Sequence, residues 1–196
     1  LREYLIADEN DPNSSKDFGK NIIPAMLFAG EKLWPYRFEG YWRDVGTITS
    51  LWDANMDMLS IDNIDLYDPS WPISSRSPVC PPHYVGERAK VVHSILTEGC
   101  TVRGMVENSV LSPAVEVGEG AEVSYSVLMP GAVVEKGAIV RYAILGENTV
   151  IKAGAVIGSE PDGFESWGVA TIGPDVTVGP GVEVPAGAMI YSSEEV

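Results

Sequence analysis

Aliphatic residues recur at every sixth position through much of the second half of the chain. Turn formers such as Pro130-Gly131, Lys136-Gly137 and Gly179-Pro180-Gly181 follow them. Each hexad therefore predicts a short strand and a bend, and their repetition predicts a parallel β-helix whose aliphatic side chains stack inward as its core. The repeating positions are Val115, Ala121, Val127, Val133, Ile139, Leu145, Ile151 and Ile157, followed after an interruption by Ile172, Val178, Val184 and Ile190.

Two stretches depart from this repeat. Residues 91–113 remain rich in Val, Ile and Gly but do not follow the six-residue spacing, which predicts an irregular first coil. Residues 158–171 interrupt the hexads with a turn sequence and carry Phe164 and Trp167, which predicts a loop bulging from one corner. This loop is either a tolerated surface insertion or a contact for a partner or effector, because exposed aromatic residues are costly without a use.

The first half of the chain has helical and strand patterns instead. Apolar residues at helical spacing from Ile22 to Leu27, after polar residues 14–17, predict a helix that stops at Gly30. Residues 33–38 and 41–45 predict two short strands. Thr47 then caps a second, amphipathic helix, whose apolar face carries Ile48, Leu51, Trp52, Asn55, Met56 and Leu59 and whose other face carries Asp53 and Asp57.

These elements predict a domain boundary near the middle of the chain. Residues 1–75 make too small a core alone, so they are expected to be a small α/β unit that finishes a sheet whose remaining strands lie elsewhere. Residues 76–90 form a Pro-rich linker, and residues 91–196 form the β-helix domain. The chain begins at Leu1 without an initiator Met, and we expect it to be a piece of a longer protein.

Charge and composition exclude several classes of function. The 196 residues carry a formal net charge of −15, which argues against binding nucleic acid or an anionic membrane surface. Cys80 and Cys100 are too few for a disulfide framework or a zinc quartet, so a reducing cytosol is the expected compartment. No apolar run approaches the roughly 20 residues that span a bilayer.

Few residues have side chains suited to chemistry. His83 and His93 both precede the regular hexads, so we expect no proton-accepting His in the coil stack. Asp44 follows a predicted strand and precedes a helix, where a carboxylate either holds Mg²⁺ or only complements the helix dipole. The sequence leaves the roles of Asp17 and Phe18 open in the same way, because Asp17 also fits a helix N-cap and Phe18 also fits the core.

A resemblance to a known family favours the functional interpretations. The residues that carry it are Asp17 to Pro24, Gly40 to Thr47 and Trp52 to Asp57, in that order and followed by the hexads. This combination resembles the C-terminal portion of bacterial glucose-1-phosphate adenylyltransferases. The resemblance implies that residues 1–75 are a small α/β remnant, the C-terminal part of a Rossmann-like sugar nucleotidyltransferase domain. The hexads themselves resemble hexapeptide-repeat proteins, whose β-helices are left-handed and triangular in section.

The resemblance implies a function for a longer parent protein. Members of this family convert ATP and glucose 1-phosphate to ADP-glucose and pyrophosphate in glycogen synthesis, require Mg²⁺, form tetramers and respond to allosteric effectors in the cytoplasm. By motif, Asp44 resembles a metal ligand, Trp42 a wall of the glucose 1-phosphate pocket, and Asp17 and Phe18 further residues of that pocket. The family's nucleotide loop lies upstream of these motifs, so this chain alone is expected to be inactive, with a β-helix that serves assembly and regulation.

Two alternatives remain open at the level of sequence. The first is a non-catalytic regulatory subunit of the same enzyme, which would form a homo-oligomer or join a related subunit in a hetero-oligomer. The second is a hexapeptide acyltransferase, which would need a coil-borne His.

Overall fold

The computed structural model describes residues 1–74, 78–163, 167–193 and 196, and these fall into two compact units, Leu1–Gly40 and Tyr41–Val196. The first unit is helical. Helix α1 spans Arg2–Asn10, a π-helical turn spans Phe18–Ile22, and helix α2 spans Ile23–Phe28. The predicted helix that stops at Gly30 is confirmed, and Gly30 lies just past it with φ +74°, a left-handed backbone that favours glycine.

The two strands predicted for the first half do not form. Residues 1–74 contain helices and turns but no strand, so residues 33–38 and 41–45 pair with no neighbouring strand, and the predicted α/β remnant is here only α. A strand is stable only when its backbone groups pair with a neighbour, and no other described segment pairs with these residues. An aromatic and β-branched pattern alone therefore does not make a strand, because pairing depends on strands elsewhere.

The second unit contains one helix and a parallel β-helix. Helix α3 spans Ile48–Asp57, and Thr47 caps it as predicted: the Thr47 hydroxyl accepts a hydrogen bond from the Ser50 backbone, and the Ser50 hydroxyl accepts one from the Thr47 backbone. Three six-stranded parallel sheets form the walls of the β-helix, and each coil adds one strand to every sheet. The predicted parallel β-helix of hexapeptide repeats is therefore confirmed.

The strands are short, two or three residues each, as expected for a coil with three corners. The first sheet contains β1 (Tyr84–Val85), β4 (Thr101–Val102), β7 (Glu116–Val117), β10 (Val133–Val134), β13 (Val150–Ile151) and β16 (Thr177–Val178). The second contains β2 (Lys90–Val92), β5 (Met105–Glu107), β8 (Glu122–Ser124), β11 (Ile139–Arg141), β14 (Val156–Ile157) and β17 (Glu183–Val184). The third contains β3 (Ile95–Leu96), β6 (Val110–Leu111), β9 (Val127–Leu128), β12 (Ala143–Leu145), β15 (Ala170–Ile172) and β18 (Met189–Ile190).

The coil repeat differs from a strict six-residue frame. Val117 pairs with Val134, and Val134 with Ile151, so one regular coil takes 17 residues rather than 18. The frame is six, five and six residues, because the inward side chains of one coil are Val117, Val123, Leu128 and then Val134, all buried. The prediction that Val133 and Ile139 belong to the core is wrong: both are only half-buried, and their neighbours Val134 and Val140 point inward.

The five-residue step lies at the corner between the second and third sheets. His93, Asn108, Tyr125 and Tyr142 occupy this corner in successive coils, each with positive φ between +43° and +48°. A buried serine ladder runs beside them. Ser94 Oγ accepts from the Ser109 backbone, Ser109 Oγ from the Ser126 backbone and Ser126 Oγ from the Ala143 backbone, each at 3.1 Å. The ladder satisfies backbone donors that the tight corner would otherwise leave unpaired.

The irregular stretch 91–113 is part of a regular stack with one short coil. Val102 pairs with Val117 only 15 residues later, so the corner after β4 lacks two residues. His93 lies in the first coil, between β2 and β3, because the stack begins at Tyr84, earlier than the hexad pattern. The expectation of a stack without a proton-accepting His thus rested on a wrong position for His93. The domain limits at residues 75 and 90 stay a prediction.

Candidate functional site

The segment that carries Trp42 and Asp44 is held on the polar face of α3. Arg43 donates from its guanidinium to Asp53 Oδ2 at 3.1 Å and lies 2.7 Å from Asp57 Oδ2, and Tyr41 Oη donates to the same Asp57 oxygen at 2.9 Å. The carboxylates are one helical turn apart, so a single guanidinium reaches both. This ionic clamp fixes the backbone immediately before Asp44.

The clamp shifts the ionisation of its members. Partial desolvation raises the pKa of Tyr41, and the hydrogen bond to the Asp57 carboxylate raises it further. Desolvation on its own lowers the pKa of Arg43, but the carboxylates of Asp57 and Asp53 outweigh it and raise that pKa. Tyr41 and Arg43 therefore each keep one charge state across the physiological pH range.

Asp44 is oriented by the turn that leads into α3. Its Oδ1 accepts a hydrogen bond from the Gly46 backbone at 3.0 Å, and a Cβ at position 46 would lie 3.3 Å from that oxygen. Asp44 Oδ2 has no hydrogen-bond partner among the described residues. A carboxylate with one oxygen held and one free is chemically suited to a hard cation such as Mg²⁺. Among the described residues, no three His, Cys, Asp or Glu side chains cluster as a metal site, so Asp44 is at most one ligand of a larger set.

Trp42, two residues before Asp44, presents a flat apolar surface. Its side chain is 74% exposed, and it belongs to no aromatic pair of the described chain. An exposed indole is costly in water but is suited to stacking against a sugar ring. Trp42 and Asp44 therefore lie together on one clamped segment.

Asp17 and Phe18 lie in the other compact unit. Asp17 is the N-cap of the π-helical turn: its Oδ1 accepts from the Lys20 backbone at 2.8 Å, and its Oδ2 lies 3.9 Å from Lys20 Nζ. Phe18 is exposed rather than in the core of its unit. The N-cap role that the sequence indicated for Asp17 is confirmed, and the pocket roles of both residues stay predictions.

The apolar face of α3 attaches this segment to the β-helix. Ile48, Leu51, Trp52 and Met56 pack against a buried cluster of Val127, Ile144 and Val169. The Trp52 indole donates to the Tyr125 carbonyl at 2.7 Å and lies 5.9 Å from the Tyr142 ring, which itself stacks on Tyr125 at 4.7 Å. The amphipathic face predicted for α3 is thus confirmed, and its partner is the corner between the second and third sheets.

The interruption at 158–171 contributes to the same corner. Trp167 meets Tyr142 edge-on at 5.6 Å and donates from its indole to the Ser159 carbonyl at 3.0 Å. Trp167 is thus packed rather than free, so its contacts favour the structural interpretation of the insertion; Phe164 lies outside the described residues.

Sequence reasoning missed the Arg43 clamp and the stacking of Tyr125 on Tyr142. The clamp had a sequence signal, an acidic pair at i and i+4 on α3 with one Arg before the helix. The tyrosine stack had no such signal, because Tyr125 and Tyr142 are 17 residues apart and become neighbours only when the coil closes.

The remaining residues considered for chemistry have structural contacts. His93 Nδ1 lies 2.7 Å from Asn108 Oδ1, which joins two coils at the same corner, and His83 is exposed. Both cysteines are free thiols, and burial raises the pKa of Cys100, which makes it a poor nucleophile. No helix of the described residues has the length and apolarity to cross a bilayer.

Comparison with known proteins gives independent matches for both halves. A family model described as Nucleotidyl transferase matches residues 2–61, and one described as GlmU-like, C-terminal hexapeptide matches residues 82–169. Among curated proteins, the chain is 52% identical over 124 residues to a glucose-1-phosphate adenylyltransferase of Acetivibrio thermocellus, covering 63% of this chain and 29% of the relative.

Two clostridial proteins with the same name are similar. The protein from Clostridium botulinum strain Alaska E43 is 57% identical over 120 residues, with 61% of this chain and 31% of the relative covered. The protein from Clostridium perfringens strain SM101 is 56% identical over 124 residues, with 63% and 32% covered. The chain thus spans about a third of the length of the curated relatives that it matches. These matches confirm the resemblance of this chain to bacterial glucose-1-phosphate adenylyltransferases that its motifs predicted.

Proposed function

We propose that this chain is part of a glucose-1-phosphate adenylyltransferase that makes ADP-glucose and pyrophosphate from ATP and glucose 1-phosphate in glycogen synthesis. The observation that carries the proposal is the 49–57% identity to proteins of that name. The clamped segment supports the proposal. Trp42 and Asp44 lie two residues apart and are both exposed, and the Gly46 backbone orients Asp44, as a sugar-phosphate and metal site requires.

Each residue of the site has a role that follows from its chemistry. Asp44 would hold Mg²⁺ through its free oxygen, and the cation would supply positive charge to offset the phosphates. Trp42 would stack against the glucose ring, and Asp17 and Phe18 would line the same pocket. The reaction joins two bound phosphates, so these residues would act by positioning and electrostatics rather than by a covalent intermediate.

The β-helix would serve assembly and regulation. Its stacked coils end in unpaired strands, which usually need a cap or a partner, so we propose homo-tetramers or hetero-oligomers with a related subunit. A monomeric sedimentation profile of the full-length parent at micromolar concentration would contradict this part of the proposal. We further propose that the 196 residues alone are inactive, since the family's nucleotide loop lies upstream of the motifs present here.

The decisive experiment measures pyrophosphate release by the full-length parent. Wild type, Asp44→Ala and the matched control Asp62→Ala would each be supplied with glucose 1-phosphate, Mg²⁺ and one nucleoside triphosphate at a time. We expect turnover with ATP that falls by about a hundredfold or more in Asp44→Ala, because a metal ligand is lost. Asp62, exposed and outside the clamp, should leave the rate unchanged.

Two other results would each favour a different function. No pyrophosphate from the wild-type parent would favour the non-catalytic regulatory subunit. Saturable acetyl-CoA binding in calorimetry would favour the hexapeptide acyltransferase, whose coil-borne His would have to be His93. Its contact with Asn108 gives His93 a structural role already, which argues against that alternative.

A further inference from the structure

One corner of the β-helix is shorter than its equivalents. Between the first and second sheets, three residues turn the corner at 87–89, 119–121, 136–138 and 153–155, whereas the second coil turns it with Gly104 alone. A Cβ at Gly104 would lie 2.3 Å from the Ala121 carbonyl oxygen and 2.6 Å from the Gly118 carbonyl oxygen. Only glycine allows the chain to cut across the next coil so closely.

The missing residues leave a notch in the side of the β-helix. In the neighbouring coils an alanine, Ala89 or Ala121, precedes the strand of the second sheet and packs on the core, whereas the second coil has Gly104 there and lacks the two residues before it. The resulting cavity has a volume of about 780 Å³ and lies between the corners of the first and third coils. Because a change in coil length creates it, the notch is a property of the backbone and not of side-chain positions.

Basic side chains converge on this notch. Its lining includes Arg88, Lys90, Arg103 and Lys136, four of the 13 Lys and Arg residues of the chain. None of the four forms an ion pair within the described residues. The Arg103 guanidinium carbon lies 6.0 Å from the Tyr84 ring centroid, a cation–π contact that holds it at the rim.

Carboxylates also line the notch, but none forms an ion pair with these cations within the described residues. Glu87, Glu119 and Glu122 belong to the lining, and Glu122 is held by Arg141 at 3.1 Å. Other basic residues of the chain do pair, as Arg43 does with Asp53 and Lys152 with Glu135. The four cations therefore face two remaining carboxylates, and a bound anion would offset this excess of positive charge.

We propose that the notch binds a small phosphate-bearing molecule. A phosphate accepts several charge-assisted hydrogen bonds, and Arg103 and Lys136 can reach it from two coils. A smaller hollow of about 320 Å³ on the first sheet shares both residues and gives the remainder of the ligand room along the wall. The proposal does not depend on the activity of the parent, because every residue involved belongs to the β-helix.

The first test measures anion binding to the 196-residue chain by titration calorimetry, with inorganic phosphate and tripolyphosphate as probes. We expect saturable binding, tighter for tripolyphosphate, that weakens by at least about tenfold in the double variant Arg103→Gln/Lys136→Gln. The charge-matched control Lys32→Gln/Arg37→Gln removes two exposed cations outside the notch and should leave the affinity unchanged. Absence of saturable binding, or equal losses in the two double variants, would overturn the proposal.

A second variant tests the notch rather than its charge. Replacing Gly104 by Ser-Gly-Ala restores a corner of three residues and keeps all four cations. We expect this insertion to abolish binding while the circular dichroism of the β-helix is preserved. Unchanged affinity in a folded insertion variant would show that the anion binds elsewhere, and if the variant does not fold, the double variant and its control decide alone.

Discussion

The β-helix buries its large apolar side chains, whereas the segment from Phe28 to Trp42 exposes them. In the β-helix, the inward aliphatic residues of successive coils form one buried cluster, and residues such as Leu128, Leu145 and Ile151 are fully buried. In the segment, Phe28, Trp34 and Tyr36 are 97%, 87% and 89% exposed. A repeat supplies the partner of each side chain within itself, whereas a segment without strand pairing depends on other parts of a sheet.

The largest effect is expected from truncating one large apolar side chain on each side of this comparison, a buried one in the β-helix and an exposed one in the segment. Ile151→Ala should lower the free energy of unfolding by about 3 kcal/mol, because it leaves a cavity between coils. Trp34→Ala should change it by less than about 0.5 kcal/mol, since little contact is lost. Urea unfolding followed by circular dichroism measures both. Equal losses would mean that the exposed segment is packed in solution.

The short corner gives the next largest effect. Gly104→Ala should destabilise the chain by about 1–3 kcal/mol, because the new methyl group meets backbone carbonyls that cannot move independently. The matched control is Gly179→Ala, where the new Cβ meets only a Val182 methyl at 3.4 Å and the backbone is not left-handed. Urea unfolding should show a change within about 1 kcal/mol for the control. Similar midpoints for the two variants would contradict the close approach at Gly104.

A substitution in the serine ladder tests whether the stability of the tight corner depends on side-chain hydrogen bonds. Ser126→Ala should cost about 1–3 kcal/mol, because the buried Ala143 backbone donor loses its acceptor. Ser124→Ala, two residues earlier and half-buried, should stay within about 0.5 kcal/mol. Hydrogen exchange at the Ala143 amide gives a direct readout, and unchanged protection there would refute the role of the ladder.

The smallest effect concerns pH. The hydrogen bond from Lys152 to Glu135, at 2.8 Å, lowers the pKa of that carboxyl from its ordinary value of 4.5. A lowered folded-state pKa stabilises the chain above the unfolded pKa, and this stabilisation disappears as the pH falls through the folded pKa. The stability difference between wild type and Glu135→Gln should therefore be small at pH 7 and shrink below about pH 4.5. Thermal unfolding across that range measures it, and a difference that grew in acid would contradict the sign.

The sequence alone identified the elements that depend on local chemistry. Turn formers and aliphatic spacing were enough for the parallel β-helix, and Thr47 and Gly30 marked helix ends because caps act within a few residues. The motif around Asp44 led to the family resemblance that the relatives confirm. What the sequence obscured was the frame: a six-residue period matches a 17-residue coil for only part of its length, and so Val133 and Ile139 were misplaced.

Tertiary structure decided whatever depends on two distant segments meeting. Residues 33–38 and 41–45 have strand sequences, but a strand exists only where a partner's backbone lies alongside. Tyr125 and Tyr142 stack, and Arg103 and Lys136 line one notch, because the coil brings residues separated by 17 or 33 positions to one corner. Local propensity thus determined which turns and helices form, and coil closure determined which side chains share a site, because a contact between coils depends on the number of residues in each turn.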